Sequence, residues 1–176
     1  MYDWLSLDRH APSYSLIWRW MTAHLTHFNI RHLLLNLFGL AIIYYINEKL
    51  FCSWWGLFCT VSLCLWTSTC IWLLSSAISR YAGLSGILHG LAVVAIITTP
   101  HYKKHIKALM LIFWAGKTLR EHTSFYDSAF MGNFLQTGVA VDAHLYGFIG
   151  GMLLVLIAYA YSINSVYQKT SNHLVD

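Results

Sequence analysis

Residues 81–99 read YAGLSGILHGLAVVAIITT, an apolar run that ends at Pro100 and opens with a serine set between two glycines. Glycine inside a helix costs roughly 0.5–1 kcal/mol relative to alanine. Gly83, Gly86 and Gly90 within eight residues therefore need a reason other than helix stability. Close approach of another backbone is one such reason.

The rest of the chain decides the setting of that run. Its 176 residues are 57% apolar and only 10% charged, with eight Trp, eleven Tyr and nine Phe. A soluble domain carries roughly a quarter charged residues. The composition predicts an all-α, polytopic transmembrane helix bundle embedded in a lipid bilayer. In that setting the small positive charge is a topology signal and not a nucleic-acid footprint, so no nucleic-acid partner is expected. Cys52, Cys59, Cys64 and Cys70 all fall in one apolar run. Spread along a single helix they are expected to be unpaired small hydrophobes.

A spanning helix needs about 20 mostly apolar residues. Five spans are expected, near 32–47, 52–76, 84–99, 106–120 and 138–161. The fourth is the weakest, because Lys107 and Lys117 bracket a short apolar centre from which both could snorkel to the interfaces. Lys49, Lys103, Lys104, Lys107 and Lys169 fall on one side if the spans alternate, which makes that side cytoplasmic. The organisation follows: an outward-facing segment and external loop over 1–31, a transmembrane domain over 32–163 and a cytoplasmic tail over 164–176. Residues 1–29 show neither a signal-peptide pattern nor a span. An outward N-terminus without a preceding helix predicts that a first transmembrane helix is missing before Met1.

Polar groups at membrane depth are costly and are functional suspects. Ser85 opens the third span. At a helix N-terminus its hydroxyl and the neighbouring N–H groups lie where a developing oxyanion is stabilised; a plain helix cap competes with that reading. His144 lies about two turns into the last span, where a packed histidine is the competing reading. Gly86/Gly90 and Gly147/Gly151 form small-xxx-small faces beside Ser85 and His144, and such faces bring helix backbones together. A serine needs an adjacent base to become a nucleophile, and neutral imidazole is the usual one. His32 and Asn36, spaced i,i+4, share a helix face and can both donate hydrogen bonds into an oxyanion pocket. Interhelical hydrogen bonding is the alternative for that pair.

With these residues in view, the chain from Trp18 onward resembles the rhomboid intramembrane serine proteases. Trp18-Arg19 is similar to the family's external-loop pair, His32-x-x-x-Asn36 to its second-helix pattern, Gly83-Leu84-Ser85-Gly86 to its GxSG motif, and Ala143-His144-Leu145-Tyr146-Gly147 with Gly151 to its AHxxGxxxG motif. "GLSGILHGL" and "DAHLYG" most resemble the rhombosortase branch. The resemblance implies Ser85 as nucleophile and His144 as base in a dyad without a third member, since Asp142 faces elsewhere on its helix. It implies an oxyanion site from His32, Asn36 and the Ser85 N–H beside Gly83, with structural roles for Arg19, Glu48, Gly147 and Gly151. No cofactor and no metal are implied. Where typical members carry an aromatic beneath the base, this chain has His89, which is suited to stacking and less suited to be a rival base.

The branch further implies a multi-pass protein of the bacterial inner membrane whose site opens to the periplasmic side. Its substrates would be membrane-anchored proteins with a C-terminal Gly-Gly and transmembrane tail. The alternative is an inactive rhomboid-like protein that binds membrane clients. A metalloprotein built on His24, His27, His32 and His144 lacks an HExxH pattern, and a transporter lacks a paired inverted repeat.

Overall fold

The computed structural model describes residues 2–124 and 126–172. Helices account for most of it. In chain order these are α1 (Tyr2–Leu5), α2 (Leu16–Thr22), α3 (Ile30–Ile46), α4 (Glu48–Phe51), α5 (Trp54–Leu74), α6 (Ser85–Thr98), α7 (Lys104–Arg120), α8 (Ser128–Leu135) and α9 (Val141–Asn172). A two-stranded antiparallel ladder pairs β1 (Leu7–Asp8) with β2 (Arg80–Tyr81).

α6 is the centre. Every residue from Gly86 to Ile96 is buried, which a helix apolar on all sides demands. α5 and α9 pack on one side of it, α3 and α7 on the others. The outer helices carry apolar side chains on their outward faces: Leu34 and Phe38 on α3, Leu73 and Leu74 on α5, Ile112 and Phe113 on α7, Leu156 and Ile157 on α9. Such a belt suits hydrocarbon and not water. α5 and the Val141–Ser162 part of α9 are long and apolar enough to cross a membrane, while α3 and α6 are apolar but shorter.

Local chemistry sets the helix starts. Asn29 accepts from the His32 N–H and begins α3, Ser53 accepts from Gly56 N–H and begins α5, and Asp127 accepts from Phe130 N–H and begins α8. Cys59, Cys64 and Cys70 are buried on α5 and Cys52 is exposed just before it; all four are free.

Residues 2–29 form no span and instead make a docked collar. Arg9 donates to the carbonyls of Ile71, Trp72 and Ser75 at 2.8, 2.9 and 3.1 Å, capping the C-terminus of α5. Arg19 is buried and donates to Ser15 Oγ and to the carbonyls of Asp3 and Ser6. At the other end of the bundle Glu48 meets His101 at 3.1 Å, joining α4 to the turn after α6.

Two expectations need correction. The stretch 121–137, left between the fourth and fifth expected spans, contains α8, started by the Asp127 cap and ended at Gln136, whose φ of 53° stops the helix. His144 lies in the first turn of α9 and not two turns in, because the helix begins at Val141. Beyond residue 163 the backbone continues as helix to Asn172, and residues 173–176 lie outside the described residues, as does the Lys169 side chain.

Candidate active site

The ends of α6 and α9 that carry the candidate pair come together because glycines let them. A Cβ at Gly90 would stand 2.6 Å from the Gly147 carbonyl oxygen, and one at Gly151 would stand 2.5 Å from that of Gly90. A Cβ at Gly147 would run into the Gly86 carbonyl. The two small-xxx-small faces thus meet one another. Ser85 is the first residue of α6 and His144 the fourth of α9, and both line one cavity of about 550 Å³ with His32 and His89.

Ser85 does not cap its helix. The residue before the helix is Leu84, and no side chain caps α6 among the described residues. The turn that presents the serine depends on Gly83, whose φ of 131° is open only to glycine. Its N–H donates to Ala23 and its carbonyl accepts from the Tyr81 hydroxyl, each at 2.9 Å. A Cβ on Gly83 would stand 2.6 Å from the His32 ring.

His32 and Asn36 are buried across from that turn, 9% and 4% exposed. His32 Nδ1 and Asn36 Nδ2 have no hydrogen-bond partner among the described residues. Interhelical bonding would leave neither unpaired. A buried donor without an acceptor costs about 1–3 kcal/mol, and the Asn36 amide is one, a turn along α3 from His32, which lines the cavity.

A second group of polar residues surrounds His144. Its Nδ1 lies 2.7 Å from Glu121 Oε2, and the other carboxylate oxygen of Glu121 is 2.7 Å from the Lys117 ammonium. Lys117 Nζ also donates to His89 Nε2 at 2.7 Å, and His89 Nδ1 donates to the Ser85 carbonyl at 2.8 Å. The His89 ring stacks on His144 with centroids 4.1 Å apart and an 11° interplanar angle, and Trp114 covers its neighbourhood at 5.0 Å. His89 is therefore a stacking partner with both nitrogens occupied, which removes it as a rival base. Burial pushes the Glu121 carboxyl upward, but the His144 hydrogen bond and the Lys117 charge outweigh it and hold the group below the ordinary carboxylate range.

The Lys117 side chain is 36% exposed, and its ammonium is held by Glu121 and His89. Lys107 donates to the Ile97 carbonyl at 2.9 Å, near the C-terminal end of α6. Glu121 is not singled out at the level of sequence; the i,i+4 spacing of Lys117 and Glu121 is the signal that could have found it. Asp142 does face away from the base, accepting from Ser75 Oγ at 2.6 Å. The four histidines suggested for a metal do not converge: His24 is bound to the Cys64 carbonyl and Ser68 on α5.

Comparison with known proteins adds one match. The Rhomboid domain family model covers residues 15–161. No curated protein and no solved structure matches the chain.

Proposed function

As the chain belongs to the rhomboid family, whose members are membrane-embedded and generally intramembrane serine proteases, we propose that it cleaves membrane-anchored proteins with Ser85 as nucleophile and His144 as base. The observation that carries this reading is the meeting of two helix N-termini, Ser85 on α6 and His144 on α9, at one cavity beside unmatched donors.

His144 takes the proton of the Ser85 hydroxyl as Oγ attacks the scissile carbonyl, and later gives that proton to the leaving amine. The charge on the carbonyl oxygen is met by Asn36, His32 and the N–H groups at the start of α6, where the helix dipole is also favourable. Water then hydrolyses the acyl-enzyme. From Ser85 the cavity continues as an apolar groove between α3 and α6, past Phe38, Ile42 and Ile46 on one wall and Ala92 and Ile96 on the other. Such a groove receives an apolar segment of a substrate, and the five long helices α3, α5, α6, α7 and α9 traverse the bilayer around it.

The substrate class follows the rhombosortase-like stretches: exported proteins with a Gly-Gly and transmembrane tail, cut on the periplasmic side of a bacterial inner membrane. Glycine pairs weaken a helix and let its backbone enter a serine site. Co-expression with a Gly-Gly-tailed, single-span reporter tests this. Release by wild type but not by Ser85→Ala or His144→Ala is the expected result. Release that survives both substitutions overturns it, and no release by any version favours a client-binding protein without protease activity.

A further inference from the structure

We infer that Glu121 is a positioning residue for His144, so that the site works as a serine–histidine–glutamate arrangement held by Lys117; the inference rests on the protease reading above. The dyad implied by the resemblance has no third member, and the motif stretches do not include position 121.

Three observations carry it. Glu121 is 7% exposed in its side chain, as is His144, and their 2.7 Å contact is shielded from water. A buried carboxylate is retained only where its charge is matched, and here both of its oxygens are engaged, one by His144 Nδ1 and one by Lys117. An anionic acceptor at Nδ1 requires the proton on that nitrogen, which leaves the Nε2 lone pair for the serine hydroxyl. The same contact steadies the imidazolium formed when the serine proton moves to Nε2. Glu121 stays ionised throughout, so no further proton is transferred.

His89 completes the support. Its tautomer is set by donation to the Ser85 carbonyl and acceptance from Lys117, and its ring fixes the plane of His144 from below. Ligand atoms of His89, Glu121 and His144 lie within 4.8 Å of one another, a grouping of the kind that holds metals. Here the Lys117 ammonium already supplies the cation between His89 Nε2 and Glu121 Oε1. Orientation of the base is the reading this favours.

The test uses the full chain in detergent, with a Gly-Gly reporter and a fluorophosphonate probe that reads serine reactivity without a substrate. Glu121→Gln is expected to lower kcat by on the order of 10²-fold with KM within about 2-fold, since the amide keeps the shape but no longer enforces the tautomer. Glu121→Asp, which keeps the charge one methylene short, is expected to restore about tenfold of that loss. A merely structural role would not separate these two at equal melting temperature. Equal kcat for Glu121→Gln and wild type, or no recovery in Glu121→Asp, overturns the inference.

Should Glu121→Gln not fold, ¹⁵N NMR of histidine-labelled wild type decides instead, with the His144 signals assigned by their loss in His144→Gln. An Nδ1–H tautomer is expected, and an Nε2–H tautomer overturns the proposal. Wild type that neither cleaves the reporter nor takes up probe at Ser85 sinks the protease reading, and this inference with it; that result is distinct from an active enzyme indifferent to position 121.

Discussion

The two ends of α6 use the same kinds of residue for opposite purposes. At its C-terminal end the donors are matched: Asn47 Nδ2 donates to Thr98 Oγ1 at 3.0 Å, Thr99 Oγ1 to the Ile46 carbonyl at 2.7 Å and Lys107 to Ile97. These bonds tie α3, α6 and α7 together. At its N-terminal end, the Asn36 amide and His32 Nδ1 stay buried without acceptors and a cavity opens beside them. On the proposed reading, the donors at the C-terminal end are used within the fold, although Asn47 Oδ1 has no partner there, whereas those at the N-terminal end await a substrate oxygen. An Asn alone does not say which it is.

Substitutions at the two ends sharpen that contrast. The largest effect is expected for Ser85→Ala, which removes reporter cleavage by at least about 10³-fold and abolishes fluorophosphonate labelling. Melting of the purified protein should stay the same, because Ser85 caps nothing. Next comes Asn36→Ala, expected to lower kcat by on the order of 10²-fold, as loss of one oxyanion donor does. Its stability should hold or rise, since an unmatched buried donor is removed. A fall in stability at unchanged kcat would reverse the roles assigned to the two ends.

Gly147→Ala is expected to destabilise by about 2–3 kcal/mol, because the added methyl meets backbone and not a yielding side chain. Denaturation in mixed micelles reads this directly. Asn47→Ala should cost about 1–2 kcal/mol through lost bonds to α6 while reporter cleavage by the folded fraction continues.

The smallest effect is at the collar. Burial raises the Asp8 carboxyl, but the His10 N–H and the Arg80 guanidinium outweigh it and leave the group below its ordinary value. A depressed carboxylate contributes stability that is present above its unfolded pKa and lost as pH falls through the lower folded value. The difference in melting between pH 6 and pH 3 should therefore shrink in Asp8→Asn, by no more than about 1 kcal/mol. An unchanged difference would show that the Arg80 pairs do not hold the collar.

Much of this was legible in the chain because the bilayer demands a simple code. Apolar runs place the helices α3, α5, α6 and α7 to within about two residues and the start of α9 to within three, while α9 runs eleven residues past its expected end; glycines four apart mark the α6–α9 contact. Ser85 and His144 stood out as polar groups where polar groups are costly. Glu121 was harder to see because it lies just beyond a helix end, where a carboxylate is ordinary. Only the fold turns it inward. The partners of Lys117 were hidden for the related reason that they come from residues 89 and 121. The part of Arg9 in the collar was opaque too, since it bonds to backbone carbonyls, which carry no residue type.

The glycine contact between α6 and α9 also bears on how the protein is made. On the proposed reading the nucleophile leaves the ribosome about sixty residues before its base, an interval of roughly 3 to 12 s at ordinary synthesis rates. During that interval Ser85 has neither His144 to take its proton nor the Gly147 face against which α6 packs. A growing chain is therefore inert toward its neighbours in the translocation machinery, and proteolytic competence arrives only with the insertion of the last helix.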